Sequence, residues 1–190
     1  MGINLLKVNM DKQLKLKYSP RFIAMVSQVI AHETGGDKSG GYTNDPDDPG
    51  GETKWGISKR AYPNLNIKAL TFNDAIAIYH KDYYEGIDTI ADDRLAFKVF
   101  DMSVLNGRVK AVKLLQTSIR ALGSKISADG YLGPVTSAAA NITHPRALYA
   151  NYINKLEMRL KWLVLLKPKK KKYLKGWLTR LHYNFNGEIA

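Results

Sequence analysis

The chain has 190 residues, 45% of them hydrophobic, enough to bury one sizeable core or one main domain with a small helical appendage. Lys and Arg number 29 against 17 Asp and Glu, and the resulting net charge of +12 favours polyanionic surroundings such as nucleic acid, anionic lipid or bacterial wall polymers. Cysteine is absent, which excludes disulfides, a thiolate nucleophile and a Cys-based zinc site.

Residues 1–19 scatter Lys7, Lys12, Lys15 and Lys17 among short apolar pairs, with no continuous apolar run and no small-residue cleavage site. They read as an N-terminal extension without a signal peptide, so the chain is expected to stay cytoplasmic until release or export. Ser19-Pro20 then predicts a helix start, a capping hydroxyl followed by a proline at the first helical position. Phe22, Val26, Val29, Ile30 and Glu33 share one face of that helix, and Gly35-Gly36 supplies its stop. From Thr34 to Thr71 the composition turns to Gly, Pro, Asp, Asn, Ser and Thr, too long a stretch for an ordinary connection. Within it, Thr53 to Ser58 alternates weakly, as in a small β-hairpin.

A second helix opens at the Thr71/Asp74 capping box, with Phe72, Ala75, Ile76, Tyr79 and Tyr83 on one face. Helices follow at Asp92 to Leu105 and at Arg108 to Leu122, the latter turning Val109, Val112, Leu115, Ile119 and Leu122 inward. Gly133-Pro134 opens a short one. The last third predicts helices at about Pro145 to Leu166 and Lys169 to Phe185, broken at Pro168, the second with Tyr173, Leu174, Trp177, Leu178 and Leu181 inward. The fold class is therefore mainly α. The densest apolar run, Trp162 to Leu166, is closed by Lys161 and Lys167, so no membrane span is expected and the chain reads as a soluble monomer.

Six of the 17 acids, Glu33, Asp37, Asp45, Asp47, Asp48 and Glu52, crowd into twenty residues of a basic protein. Glu33 stands on an apolar stripe and at a helix C-terminus, where burial and the negative end of the helix dipole both oppose another negative charge. A glycosidase needs such a protonated carboxyl to give its proton to the leaving oxygen, and a second carboxylate that stays ionised. Asp48, in a polar turn before Gly50-Gly51, suits the second role, and Thr53 is placed to hold a water by its hydroxyl. Tyr42, Trp55 and Asn106 are candidate sugar contacts through aromatic faces and an amide. Each has a plainer reading: Tyr42 and Trp55 as loop anchors, Asn106 as a helix-end cap. Asp45 to Gly50 opens like a calcium loop, but Pro49 replaces a ligand and Gly56 stands where the closing Glu belongs. The four histidines show no zinc spacing, and neither a metal nor a cofactor is expected.

The run HETGGDKSGGYTNDPDDPGGETKWGIS, His32 to Ser58, resembles the signature of the glycoside hydrolase family 108 muramidases. There a helix ends in Glu-Gly-Gly-Tyr, followed by Asn-Asp-Pro and Asp-x-Gly-Gly-x-Thr-x-x-Gly-Ile. Here Glu33, Gly40-Gly41-Tyr42, Asn44-Asp45-Pro46, Asp48, Gly50-Gly51, Thr53 and Gly56-Ile57 take those places, with roughly six residues inserted between Glu33 and Tyr42. YHKDYYEGI from Tyr79 and FDMSVLNGRVKAVKLLQ from Phe100 continue the likeness. DGYLGPVTSAA from Asp129 and YLKGWLTRL from Tyr173 resemble the family's predicted peptidoglycan-binding portion. The resemblance implies a lysozyme-like helical fold with a long active-site loop. Residues 20–122 would form the catalytic region and 123–190 a helical peptidoglycan-binding region packed on it. It also implies cleavage between N-acetylmuramic acid and N-acetylglucosamine, as in phage and prophage endolysins, with Glu33 as the acid.

Three other readings stand beside this one. A lytic transglycosylase needs only one Glu and forms an internal anhydro ring. A wall-binding or membrane-perturbing module would use the block from Lys155 to Arg180, which holds ten basic residues and one acid. Nucleic acid is not expected as a partner, because no nucleic-acid-binding signature accompanies the charge. Peptidoglycan and anionic wall polymers are the expected partners.

Overall fold

The computed structural model describes residues 12–45, 50–183 and 185, and the fold is mainly α. The chain divides into two compact units, Met1–Asp82 and Tyr83–Ala190.

In the first unit, α1 spans Lys12–Lys17 and α2 spans Pro20–Thr34. Ser19 caps α2 as its sequence predicts, its hydroxyl accepting from the Phe22 amide at 3.2 Å. Phe22, Met25, Val26, Val29 and Ile30 are fully buried. A cluster of Tyr18, Phe22 and His80, with ring centroids 4.8 to 5.3 Å apart, ties the start of α2 to the end of α3, Phe72–Tyr79. The Thr71/Asp74 capping box forms in both directions, Thr71 Oγ1 receiving the Asp74 amide and Asp74 Oδ2 receiving the Thr71 amide. Between α2 and α3 lies a two-stranded antiparallel hairpin, β1 at Thr53–Lys54 and β2 at Ile57–Ser58, with Thr53 opposite Ser58.

One expectation for α3 needs correction. The spacing predicts Tyr83 on the inward face, but the helix passes at His80–Tyr84 into a π-helical turn, and Tyr84 is the buried residue. A π turn adds one residue to the helical period, so the buried position moves by one.

The second unit contains α4 (Asp93–Asn106), α5 (Arg108–Ala121), α6 (Pro134–Ile142), α7 (Pro145–Leu166) and α8 (Lys171–Leu181). Asp92 caps α4 through the Leu95 amide at 2.9 Å. Helix α4 packs on α5, α5 on α7, and α7 on α8. Val112, Leu115 and Ile119 face inward as predicted. Val109 and Leu122 do not: the first lies on the opening turn of α5, and the second follows its last residue, outside the helical phase. Gln116 organises the loop before α6, its amide nitrogen reaching Asp129 Oδ1, Tyr131 O and Thr136 Oγ1 and its oxygen receiving the Gly130 amide. Lys167, before Pro168, leaves the helical region and ends α7. The face expected inward on α8 is mostly half-buried: Leu181 is buried, whereas Tyr173 is exposed. Packing against α7 covers only one side of this helix.

A buried ionic cluster joins α4 to the end of α8. The Asp101 carboxylate, fully buried, accepts from Arg180 Nε at 3.0 Å and forms an ion pair with Arg180, Nη2 lying 2.8 Å from Oδ1. Lys98, also buried, donates to the carbonyls of Arg180 and Tyr183 at 3.0 and 2.8 Å, with Nζ 3.9 Å from Asp101 Oδ2. Removing the one anion leaves two cations uncompensated, so Asp101→Asn should lower unfolding stability by about 3 kcal/mol in urea titrations. Burial, partly offset by Asp101 and reinforced by Arg180, pushes the Lys98 ammonium down to about 8. The unfolded chain therefore binds one more proton than the folded one between about pH 8 and 10, so stability should rise with pH across that window. A Lys98→Met variant should lose that slope; a urea midpoint of the parent chain that falls across the same window would contradict the assignment.

Candidate active site

The site is built at the C-terminus of α2. Gly35 ends the helix in the left-handed region, φ 61°, with its amide on the Ala31 carbonyl, and Gly36 bonds the same carbonyl at 3.0 Å. Glu33, at the last turn before the stop, is half-buried, and its Oε1 is enclosed by protein.

The inserted residues after Glu33 fold into a tight local loop. Asp37 Oδ1 accepts both the amide and the hydroxyl of Ser39 at 2.8 Å, which holds the Asp37 carboxyl below its ordinary range. The Asp37 amide returns to the Thr34 carbonyl and the Gly40 amide to the Asp37 carbonyl. Gly41 thereby comes back over the helix end, where a Cβ at that position would lie 3.5 Å from Thr34 Cα. The insertion is thus looped out, and Tyr42 emerges beside the end of α2.

Next, Thr43 and Thr53 exchange backbone hydrogen bonds at 2.9 Å, adding a bridge beside the hairpin. The hairpin turns on Trp55 and Gly56, whose φ angles are 56° and 76°. Two positive φ values in a two-residue turn match the right-handed twist of the strands, but a tryptophan there is strained. Its neighbours hold it. The Trp55 amide bonds the Gly40 carbonyl, its indole donates to the Leu70 carbonyl at 3.2 Å, Phe72 meets it edge-on, and Gly40 lies against the ring. Trp55 is consequently a buried anchor of the loop, the plainer of the two readings its sequence allows.

This strained turn positions the acid. A Cβ on Gly56 would stand 2.7 and 2.8 Å from Glu33 Cβ and Cγ and 2.5 Å from the Tyr79 hydroxyl, so only glycine fits against the carboxyl stem. Tyr79, fully buried on α3, donates to the Trp55 carbonyl at 2.9 Å and fixes the turn from beneath. Gly56 and Tyr79 were not among the expected site residues. In the sequence Gly56 is one position of the family signature, and Tyr79 one position of an apolar stripe that also opens a family-like run.

The other expected residues distribute as follows. Tyr42 is exposed, and its hydroxyl donates to Glu52 Oε1 at 2.8 Å, which raises the phenol above its ordinary range and keeps it neutral. Thr53 is half-buried, its hydroxyl 3.4 Å from the Gly51 carbonyl. Asp48 lies outside the described residues. Asn106 belongs to the second unit, at the end of α4, where its amide donates to Met102 Sδ. Among the described residues no group of three or more His, Asp or Glu gathers as a metal site.

Gly56→Ala should cost about 2 kcal/mol of stability and at least about tenfold in turnover, because the added methyl displaces Glu33. Tyr79→Phe should cost about 1 kcal/mol through the unpaired Trp55 carbonyl. Urea unfolding and wall hydrolysis measured side by side check both, and full activity in Gly56→Ala would show that the turn does not position the acid.

Residues 26–107 match the family described as "Glycosyl hydrolase 108", and residues 110–182 match that described as "Predicted Peptidoglycan domain". Among solved structures, the chain is similar to SagA of Brucella abortus, with 27% identity over 84% of this chain and 88% of that one and a TM-score of 0.66. No curated protein sequence gives a match. The matched glycosidase region contains the α2 acid and the matched peptidoglycan domain follows it in sequence, a pairing that supports a peptidoglycan hydrolase similar to glycosyl hydrolase 108.

Proposed function

We propose that the protein is an N-acetylmuramidase of the endolysin type, cleaving the glycan strand of peptidoglycan between N-acetylmuramic acid and N-acetylglucosamine. The observation that carries this reading is Glu33, half-buried at the end of α2 with one carboxyl oxygen enclosed and its stem clamped against Gly56. A carboxyl so restrained is preorganised to protonate one leaving oxygen. Asp48 is assigned the ionised carboxylate that steadies charge at the anomeric carbon or activates water, with the Thr53 hydroxyl holding that water. Tyr42, exposed beside this loop and kept neutral by Glu52, offers its ring to a sugar face. Asn106 keeps its assignment as a sugar contact on sequence grounds. The net charge of +12 supports attraction to the anionic polymers of the bacterial wall.

In an assay on purified peptidoglycan, Glu33→Gln should lose at least about a hundredfold in turnover while keeping its fold, and Asp48→Asn should also be impaired. Mass spectra of the digest should show reducing muramic acid ends. Undiminished hydrolysis by Glu33→Gln would remove the acid from its role, and 1,6-anhydro ends would replace hydrolysis with transglycosylation.

A further inference from the structure

The far end of the α7–α8 hairpin contributes no residue to the candidate active site. Along the last turns of α7, Met158, Trp162, Leu165 and Leu166 are 63, 57, 77 and 57% exposed. At 3.6 residues per turn these four share one face, and Arg159 and Lys161 border it on its two sides. Tyr173, half exposed on the opening turn of α8, stacks on Trp177 at 5.8 Å and adds an aromatic ring to the same end of the hairpin. Between the two helices stand Lys167, Lys169, Lys170, Lys171 and Lys172. The nearest acid in sequence, Glu157, is held by Lys161 at 2.6 Å and His182 at 3.4 Å.

An apolar stripe of this size on a solvated helix is an interaction surface, and its lysine border says what it meets. A second copy would bring an equally cationic tip against it. A hydrophilic polyanion would satisfy the lysines but give Leu165 and Leu166 no apolar medium to enter. A bilayer bearing anionic headgroups satisfies both: the leucines and Trp162 enter the acyl boundary while the lysines reach back to the phosphates. No helix among the described residues is long and apolar enough to cross a membrane, so the contact is interfacial. We propose that the α7–α8 tip docks the protein on an anionic lipid surface, a property independent of the muramidase reading because it needs no wall substrate.

Flotation of the full chain tests this with vesicles of phosphatidylglycerol and phosphatidylcholine against vesicles of phosphatidylcholine alone. The chain should float with the anionic vesicles, and lipids brominated on the acyl chains should quench its tryptophan emission, an effect reduced in Trp162→Phe. Leu165→Ser/Leu166→Ser, which keeps every charge, should weaken binding at least about tenfold, and each lysine changed to Gln about fivefold. Circular dichroism checks that the variants remain folded. Three results would overturn the proposal: vesicle binding indifferent to the leucine pair, equal leucine-independent binding to soluble polyphosphate, or a dimer by light scattering that the leucine pair abolishes.

Discussion

The contact between the Gly56 backbone and the stem of Glu33 is the constraint on which the rest of the site depends. A glutamate at a helix terminus has three rotatable side-chain bonds and, left to itself, samples solvent. Here the helix end is closed by Gly35, the turn of a short hairpin presses on the carboxyl stem, and Tyr79 holds that turn from α3. Three elements distant in sequence therefore converge on one side chain. Restraint of this kind suits the proposed role of proton donor, because proton transfer rewards a fixed donor.

The strain is local and is met by packing. Trp55 adopts a backbone conformation better suited to Asn or Gly, and its ring is held where Gly40 and Phe72 meet. The segment between Glu33 and Tyr42 takes part in this arrangement: Gly40 supplies the carbonyl that receives the Trp55 amide and the flat backbone that admits the indole. The inserted residues before it close locally around Asp37 and leave Gly40 in place as one wall of the anchor. In the second unit the analogous role falls to buried polarity, with Gln116 reading a whole loop and Asp101 holding Arg180.

Much of this was legible in the sequence where local chemistry decides the outcome. Ser19-Pro20, Gly35, the Thr71/Asp74 box and the break before Pro168 are encoded within a few residues of where they act. Glu33 stood out because it joins an apolar stripe to a helix stop. What the sequence concealed depends on neighbours far along the chain. Nothing local announces the π turn that exchanges Tyr83 for Tyr84, nor decides between the two readings of Trp55, which distant Leu70 and Phe72 settle in favour of an anchor. Periodicity drew an inward face on α8, yet an amphipathic helix covered on one side alone keeps part of that face in water. The same exposure on α7 and α8, set among lysines, distinguishes a surface meant for a partner from an unfinished core.

The central claim is that Glu33 is held where a glycosidic oxygen arrives. A crystal structure of the Glu33→Gln protein with a tetrasaccharide of alternating N-acetylmuramic acid and N-acetylglucosamine tests it most directly. The account predicts the substituted side-chain amide at position 33 within about 3 Å of the oxygen linking a muramic acid to the glucosamine that follows it. A bound glycan whose linkages all lie beyond hydrogen-bond reach of that side chain, or one seated wholly on the second unit, would contradict it.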